Sequence, residues 1–356
     1  MNIKFLVRDL KIEGVQVVTV RLARLLLEQG NQVEIITLHN DIELPDLDDL
    51  PITSLNIPES EKNSPRQLEH FTNWYHNANF DFLIAPHGEC IKLIAQFDDS
   101  RLIPFIHNSD EYSYNHRSFF KRFRYRCKLR KKLRGKHVLC VSESIRKFTR
   151  KCCGTSITSC NVLYNPFNIN QIKQCASRYE FNLDNHEYLL FVGRLEKQKR
   201  VDRLLKSFSL IQNKSIKLLI LGEGSLEQQL KEQTKQLGLE DRVIFKRFDR
   251  NPYPIIQAAR GLLLTSDHEG LPTVIIESLV LGVPALSVNC PSGPDEILTG
   301  DLSRYLINSY DETVIAQHID DFLQSDHQPE LTQGYTKFSS EQVYHSLYQL
   351  MDQWKN

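Results

Sequence analysis

The chain has 356 residues, more than one hydrophobic core usually organises, so its length predicts two domains. With 41% hydrophobic and 25% charged residues, 15 Gly and 14 Pro, the composition excludes a disordered, collagen-like or repeat protein. Basic and acidic residues number 44 each, but residues 1–165 hold 24 basic and 19 acidic residues, and the remainder holds 20 and 25. The neutral total therefore excludes only a uniformly basic protein.

No apolar run approaches the roughly 20 residues that a membrane span needs. The longest candidate, 274–290, is interrupted by Glu277, Ser278, Gly282 and Pro284. The first ten residues resemble a buried strand more than a signal peptide. The eight cysteines contain no CxxC pair, so we expect reduced thiols and a cytoplasmic location.

Short apolar runs alternate with amphipathic stretches, which predicts βαβ units and mainly parallel sheets. In a first series, a strand over 3–7 is followed by a helix over 15–29, which Gly30 ends. Further strands are predicted at 32–37, 82–85, 102–106 and 137–141.

A second series begins with a strand over 188–192. Helices then alternate with strands: we predict helices over 201–211, 226–237, 254–259 and 273–281, and strands over 217–221, 243–245, 261–265 and 284–288. The turn-rich segment 164–168 separates the two series.

The two series predict an α/β protein with two Rossmann-like, doubly wound domains, 1–165 and 166–335, that face each other across a cleft. Open sheets of this kind bind ligands at the carboxyl ends of their strands, so we expect the functional site in that cleft. A C-terminal helix is predicted within 336–356. The sequence leaves its packing partner open, and a return to the N-terminal domain is one of the options.

Two glutamates eight positions apart, Glu269 and Glu277, flank the start of a predicted helix. Backbone N–H groups in the first turn of a helix lack intrahelical partners and can bind an anion. Here they belong to the segment Gly270, Leu271, Pro272 and Thr273. Glu277 is suited to hydrogen-bond a sugar diol. The alternative is that both glutamates are solvated surface residues.

A pair of cations, Arg194 and Lys199, follows the strand over 188–192. A rigid guanidinium and a mobile ammonium together suit a diphosphate whose negative charge rises as it leaves. The alternative is a solvated basic loop. Arg247 and Phe248 follow the strand over 243–245, and we expect them to flank a nucleobase.

Further motifs complete this pattern: Gly193 precedes Arg194, Gly222-Glu223-Gly224 follows the next strand, and Pro291-Ser292-Gly293-Pro294-Asp295-Glu296-Ile297 follows the two glutamates. Together they resemble the retaining GT-B-fold glycosyltransferases of family 4, strongly over residues 185–300. The resemblance is weaker before that, where Glu13-Gly14-Val15-Gln16 resembles the acceptor-side glycine loop of the family and His107-Asn108 its catalytic-cleft histidine.

The resemblance implies roles for these residues. Arg194 and Lys199 would hold the donor diphosphate, and Glu277 would bind the ribose hydroxyls. Glu269 and the N–H groups of residues 270–273 would contact the transferred sugar, with His107 as the second catalytic residue. Gly14 and Val15 would approach the donor phosphate from the other domain. The family pattern also implies that no metal ion and no cofactor is needed.

One residue departs from the family pattern: Glu13 stands where relatives often carry a glycine. A carboxylate beside a diphosphate would repel it. Either Glu13 points towards the acceptor, or Gly14 alone approaches the phosphate.

The positive charge of the first half is concentrated between residues 117 and 136, where eleven cations occur without one acid and alternate with aromatic and leucine residues. This pattern predicts an amphipathic basic helix that contacts an anionic membrane surface. The alternatives are nucleic-acid binding and a merely solvated helix. We expect no nucleic-acid partner.

The sequence therefore predicts a retaining transferase that moves a hexose or N-acetylhexosamine from a nucleotide diphosphate sugar, UDP-linked, to a lipid-linked glycan such as a lipopolysaccharide, O-antigen or capsule precursor. Such an enzyme would lie in the cytoplasm, peripherally bound to the inner membrane. Two alternatives stay open: a nucleotide-sugar epimerase of the same architecture, and a non-enzymatic basic module that binds membrane or nucleic acid.

Overall fold

The chain forms two compact α/β units in a computed structural model that describes residues 1–108, 110–325 and 329–355. Unit 1 contains Met1–Phe167 together with the C-terminal segment from Ser340, and unit 2 contains Asn168–Ser339. The prediction of two doubly wound α/β domains is confirmed.

Unit 1 is built on a seven-stranded sheet in which every pairing is parallel. Its central strands are buried because helices cover both faces, which is why they are continuous apolar runs. The strand order is β3-β2-β1-β4-β5-β6-β7. The strands are β1 (Asn2–Val7), β2 (Gln32–Thr37), β3 (Ile52–Ser54), β4 (Phe82–Ala85), β5 (Leu102–Ile106), β6 (His137–Cys140) and β7 (Ser159–Val162).

The helices of unit 1 start where short polar residues interrupt the apolar pattern. Ser64 and Ser142 cap two of them, since each hydroxyl accepts a hydrogen bond from a backbone N–H three residues later. The helices up to the end of β7 are α1 (Gly14–Glu28), α2 (Pro65–Asn77), α3 (Gly88–Ile94), α4 (Glu111–Asn115), α5 (Phe119–Leu133) and α6 (Glu143–Cys153).

Unit 2 has a six-stranded parallel sheet, in the order β10-β9-β8-β11-β12-β13. The strands are β8 (Tyr188–Val192), β9 (Lys217–Leu221), β10 (Val243–Lys246), β11 (Gly261–Leu264), β12 (Ala285–Val288) and β13 (Leu306–Ile307). The helices are α7 (Ile169–Ala176), α8 (Val201–Leu210), α9 (Glu227–Gln236), α10 (Tyr253–Gln257), α11 (Thr273–Val280), α12 (Pro294–Ile297) and α13 (Glu312–Gln324).

The last helix, α14 (Ser340–Lys355), packs within unit 1, although unit 2 lies between them in the sequence. The ring of Trp354 stacks on His137 with 4.8 Å between ring centroids, and it meets the edge of Phe82 at 6.0 Å. Lys355 pairs with Asp81 at 3.1 Å. Unit 1 is therefore assembled from both ends of the described chain.

Each sheet reverses its strand order beside its first strand. In unit 1, β1 lies between β2 and β4, and in unit 2, β8 lies between β9 and β11. Loops that leave the carboxyl ends of two such strands diverge to opposite sides of the sheet and leave a crevice, which is where doubly wound proteins bind ligands. The loops after β1, β4, β8 and β11 are therefore the places to look for function.

Candidate functional site

In unit 2 the two loops at the order reversal are joined by an ion pair. Lys199 follows β8 and Glu269 follows β11, and Lys199 Nζ lies 2.7 Å from Glu269 Oε1. Both side chains are largely buried, with 18% and 7% of their surface exposed. Lys199 is therefore not part of a solvated basic loop, and Glu269 is not a solvated surface residue, as the alternative interpretations of the sequence had it.

A second set of contacts holds the same two loops together. The guanidinium of Arg203 donates to the carbonyl of Thr265 (2.7 Å) and to the carboxylate of Asp267 (2.9 Å). Arg200 also reaches Asp267, at 3.1 Å, and Gln198 donates to the carbonyl of His268 at 2.7 Å. Because buried charged groups need such partners, this network holds the Lys199–Glu269 pair in one geometry.

The helix α11 begins at Thr273, four residues after Glu269. The segment 270–272 leads into it, with Leu271 and Pro272 buried, and no side chain caps the helix. Gly293 packs on this segment so closely that a Cβ there would lie 2.4 Å from Cδ of Pro272. Glu277 lies one turn further along α11 and is half-buried. The start of α11 thus has the geometry of an anion site next to a cation.

The two glycines of Gly222-Glu223-Gly224 serve packing. A Cβ on Gly222 would lie 2.0 Å from the carbonyl oxygen of Gly193, and one on Gly224 would lie 2.5 Å from that of Leu195. The backbone of the loop after β9 is therefore in direct contact with that of the loop after β8. Arg194 lies between these two contacts in the sequence and is exposed, so its guanidinium is available to a ligand.

Arg247 and Phe248 follow β10, the outermost strand of the unit 2 sheet. The Arg247 side chain is 89% exposed and lies 3.3 Å from Glu223, and Phe248 is 55% exposed. Arg247 thus connects the loop after β10 to the loop after β9. In the sheet, β10 is two strands away from β8.

In unit 1, Gly14 is the first residue of α1 and Val15 the second. The carboxylate of Glu13 just before them is matched by a cation: Arg8 Nη2 lies 3.4 Å from Glu13, and Arg8 Nε lies 2.6 Å from the buried Asp9. Gln16 ties the two carboxylates together, donating to Asp9 at 2.8 Å. Arg8 therefore balances only part of the charge of Glu13, because one cation faces two carboxylates and the network stays negative.

His107 follows β5, and its ring packs on Phe105 with 4.0 Å between centroids. Its Nε2 atom is shielded from solvent and has no hydrogen-bond partner in the described part of the chain. Burial, with a smaller contribution from His87, lowers the pKa of His107 to about 3. The imidazole is therefore neutral at physiological pH and is a hydrogen-bonding group, not a proton donor.

The basic segment forms α5, with two different sides. Tyr125, Leu129 and Leu133 face a cavity of unit 1, as their four-residue spacing predicts. The other side exposes three phenylalanines, Phe119 (78%), Phe120 (82%) and Phe123 (62%). The exposed cations around them are Lys121, Arg124, Lys128, Arg130, Lys131 and Arg134.

Lys136, counted with this basic segment in the sequence, is not on its surface. It is 2% exposed and donates to the backbone carbonyls of Phe97 and Asp99. Arg122 likewise donates to the carbonyl of Tyr114 at 3.2 Å. Part of the charge of the segment therefore stabilises the fold.

Sequence reasoning missed Arg203, Asp267, Gln198 and His87. Arg203 lies inside α8, and its local sequence does not distinguish it from other basic residues of a helix. Asp267 and His87 share one available signal: each follows the carboxyl end of a strand beside which the sheet order reverses.

Within the described ranges, no group of three or more His, Cys, Asp or Glu side chains is arranged to hold a metal ion. Every helix of those ranges is too short or too polar to cross a membrane.

Two family models match the chain and divide it as the two units do. Residues 12–171 match Glycosyltransferase Family 4, and residues 176–338 match Glycosyl transferases group 1.

Named relatives match over shorter stretches. A Campylobacter jejuni N-acetylgalactosamine-N,N'-diacetylbacillosaminyl-diphospho-undecaprenol 4-alpha-N-acetylgalactosaminyltransferase is 31% identical over 47% of this chain and 45% of the relative. The lipopolysaccharide 1,6-galactosyltransferase of Escherichia coli K12 is 34% identical over 33% of this chain and 34% of the relative. The chain thus spans less than half the length of these curated relatives.

A solved structure matches over nearly the whole chain. Anabaena HepE, crystallised in complex with UDP and glucose, covers 99% of this chain and 100% of its own, with a TM-score of 0.78 and 17% identity. At that identity the likeness concerns the fold.

Proposed function

Since the chain belongs to the family 4, group 1 glycosyltransferases of GT-B fold, we propose that it transfers a hexose or N-acetylhexosamine from a UDP-sugar to a lipid-linked glycan, with retention of anomeric configuration. The acceptor is a precursor of a surface polysaccharide such as lipopolysaccharide, O-antigen or capsule. One observation carries the proposal: the buried Lys199–Glu269 pair lies beside the start of α11, at the order reversal of the unit 2 sheet.

The donor is assigned mainly to unit 2. Arg194 and Lys199 bind the diphosphate, because two cations favour the charge that grows as the bond to the sugar breaks. Glu277 binds the ribose hydroxyls, and Glu269 contacts the transferred sugar together with the N–H groups of Gly270, Leu271 and Thr273. The exposed Arg247 and Phe248 flank the base. We assign the remaining donor-phosphate contact to Gly14 and Val15.

The chemistry needs neither a metal ion nor a cofactor in this proposal. The bond from the anomeric carbon to the diphosphate oxygen breaks, and the acceptor oxygen bonds to that carbon from the same face. The acceptor hydroxyl gives its proton to the leaving diphosphate. A neutral His107 donates a hydrogen bond to a sugar hydroxyl or accepts one from it, and so keeps the sugar oriented.

The comparisons support a UDP-sugar and a lipid-linked glycan. The HepE structure holds UDP and glucose. The two named relatives act on a diphospho-undecaprenol-linked glycan and on lipopolysaccharide. A protein that acts on such acceptors works at a membrane surface, so we assign this chain a peripheral position at the inner membrane.

The exposed side of α5 is the proposed membrane contact. Three exposed aromatic rings next to exposed cations combine apolar insertion with attraction to anionic headgroups, which contribute about 1 kcal/mol per nearby basic side chain.

The test begins with donor binding and continues with turnover. UDP-glucose, UDP-galactose and UDP-N-acetylglucosamine are screened for a rise in melting temperature, since a ligand of the folded state stabilises it. Arg194→Ala is then compared with Lys197→Ala, an exposed neighbour in the same loop. We expect at least a ~100-fold loss of transfer for Arg194→Ala and little change for Lys197→Ala.

Two outcomes contradict the proposal. Equal turnover of the two variants removes Arg194 from the donor site. Interconversion of UDP-glucose and UDP-galactose without any acceptor identifies an epimerase instead.

A further inference from the structure

Unit 1 contains a cavity of about 220 Å³, and most of its lining residues have no role in the donor site proposed above. It opens beside the carboxyl ends of β4 and β5 and is covered by α5. Its lining includes the apolar side chains of Val15, Ile91, Phe105, Leu129 and Phe148. The volume equals several water molecules at about 30 Å³ each, enough for one small polar ligand.

The polar groups of the lining include a half-buried cation, on which the carboxylate of Asp110 acts by its charge without forming an ion pair in the described part of the chain. Lys132, on the inner side of α5, donates a hydrogen bond to the carbonyl of Gly88 at 3.2 Å and forms no ion pair among the described residues. Burial lowers its pKa, with a smaller contribution from Lys92. A half-buried ammonium of this kind gains most from an anion that replaces its lost water.

The one carboxylate in the lining is already engaged. The hydroxyl of Tyr125 donates to Oδ2 of Asp110 at 2.9 Å, which ties α5 to the loop after β5. This hydrogen bond leaves Asp110 charged but holds it against Tyr125, so Lys132 has no ion-pair partner within the described ranges.

The histidines of the lining carry ring nitrogens that can hydrogen-bond a ligand. His107 Nε2 is buried and has no hydrogen-bond partner among the residues that the structure describes. His87 lines the same cavity, and burial lowers its pKa, with a smaller contribution from Arg8. Two imidazoles that favour the neutral form match the hydroxyls of a sugar, and the apolar lining residues match the C–H groups of its ring.

We propose that this cavity binds a sugar unit of the acceptor that carries an anionic substituent, a carboxylate or a phosphate, and that Lys132 is the cation that selects it. The proposal rests on the proposed function, because it names part of the acceptor. It also separates Lys132 from the exposed cations of α5, Lys121, Arg124, Lys128, Arg130 and Lys131.

The test measures binding directly and needs no turnover. Glucose, glucuronate and glucose 6-phosphate are titrated calorimetrically into the full-length protein and three variants. Lys132→Gln removes the cation, Lys132→Arg keeps it, and Lys131→Gln removes an exposed cation one residue away.

We expect one or both anionic sugars to bind the wild type at least 10-fold more tightly than glucose. Lys132→Gln should abolish this preference, while Lys132→Arg and Lys131→Gln retain it. The anion that shows the larger preference identifies the substituent as carboxylate or phosphate. Ring signals of His107 and His87 in NMR spectra should shift on saturation of the wild type.

The proposal is overturned if glucose and both anionic sugars bind alike, if none binds, or if Lys132→Gln and Lys131→Gln behave the same. Circular dichroism of each variant confirms that it is folded. If the proposed function itself were wrong, the protein would not bind a UDP-sugar. That measurement is independent of the titrations with these acceptor sugars.

Discussion

Lys199 and Glu269 are 70 positions apart in the sequence and form one largely buried ion pair at 2.7 Å. The pair joins the loops after β8 and β11, which diverge from the sheet. It also neutralises a carboxylate beside the start of α11, where an anion is expected to bind. The same contact therefore stabilises the loops and prepares the site for a diphosphate.

Lys199→Met should reduce turnover at least ~100-fold, because the diphosphate loses a cation. It should also lower the free energy of unfolding by about 1–3 kcal/mol, since Glu269 keeps its charge without its partner. Steady-state kinetics and urea unfolding measure the two effects. The double variant Lys199→Met/Glu269→Gln should recover most of the stability and none of the turnover; recovery of turnover would show that Lys199 only balances Glu269.

Gly222→Ala should destabilise unit 2 by about 3 kcal/mol or more, because the added methyl group would overlap the backbone carbonyl of Gly193. Gly238→Ala is the matched control. It has a left-handed φ of 63° but open space around it, so only the conformational cost of about 1 kcal/mol applies. Chemical unfolding of both variants checks the difference; equal losses would mean that the contact between the loops is not tight.

His107 should make the protein less stable at mildly acidic pH. Its pKa falls from 6.5 to about 3 on folding, so stability is full above pH 6.5 and declines as the pH falls towards 3, where the unfolded imidazole takes up the proton first. At pH 5 the effect amounts to at most about 2 kcal/mol.

The measurement is urea unfolding at pH 8 and pH 5 for the wild type and His107→Gln. The variant should lose less stability between the two pH values. An identical pH dependence would show that His107 titrates normally in the folded protein.

Replacing Phe119, Phe120 and Phe123 with serine should weaken binding to vesicles of anionic lipid at least 10-fold while leaving the melting temperature unchanged, because the three rings are exposed. Leu210→Ser/Val314→Ser, which removes exposed apolar residues of unit 2, is the control. Vesicle flotation measures both. If the triple variant floats like the wild type, α5 does not insert its aromatic rings into the membrane.

Much of the fold follows from local sequence. The buried parallel strands are short apolar runs, so β8 and β9 agree residue for residue with their predictions, and the bounds of α1 and α11 differ by one residue. Two of the elements that were missed lack this signal. β3 is a three-residue edge strand, and α2 is polar on most of its surface. Their structure depends on neighbours that are distant in sequence.

The candidate site divides in the same way. Lys199 and Glu269 attract attention because each follows a predicted strand, but their direct contact depends on the strand order, which sequence does not supply. Arg203 supports them from inside a helix, where nothing local distinguishes it. The sequence also does not predict which side of α5 faces the cavity. Lys131 and Lys132 are adjacent and of the same type, and they differ only in that Lys132 faces the cavity.

The stacking of Trp354 on His137 affects the order of folding. Unit 2 is continuous in sequence and can complete its core while the chain is still being made. Unit 1 must wait for α14, which is synthesised after all of unit 2. Residues 1–167 expressed alone would expose the surfaces of Phe82 and His137 that α14 covers, and they would aggregate more readily than the same residues co-expressed with α14.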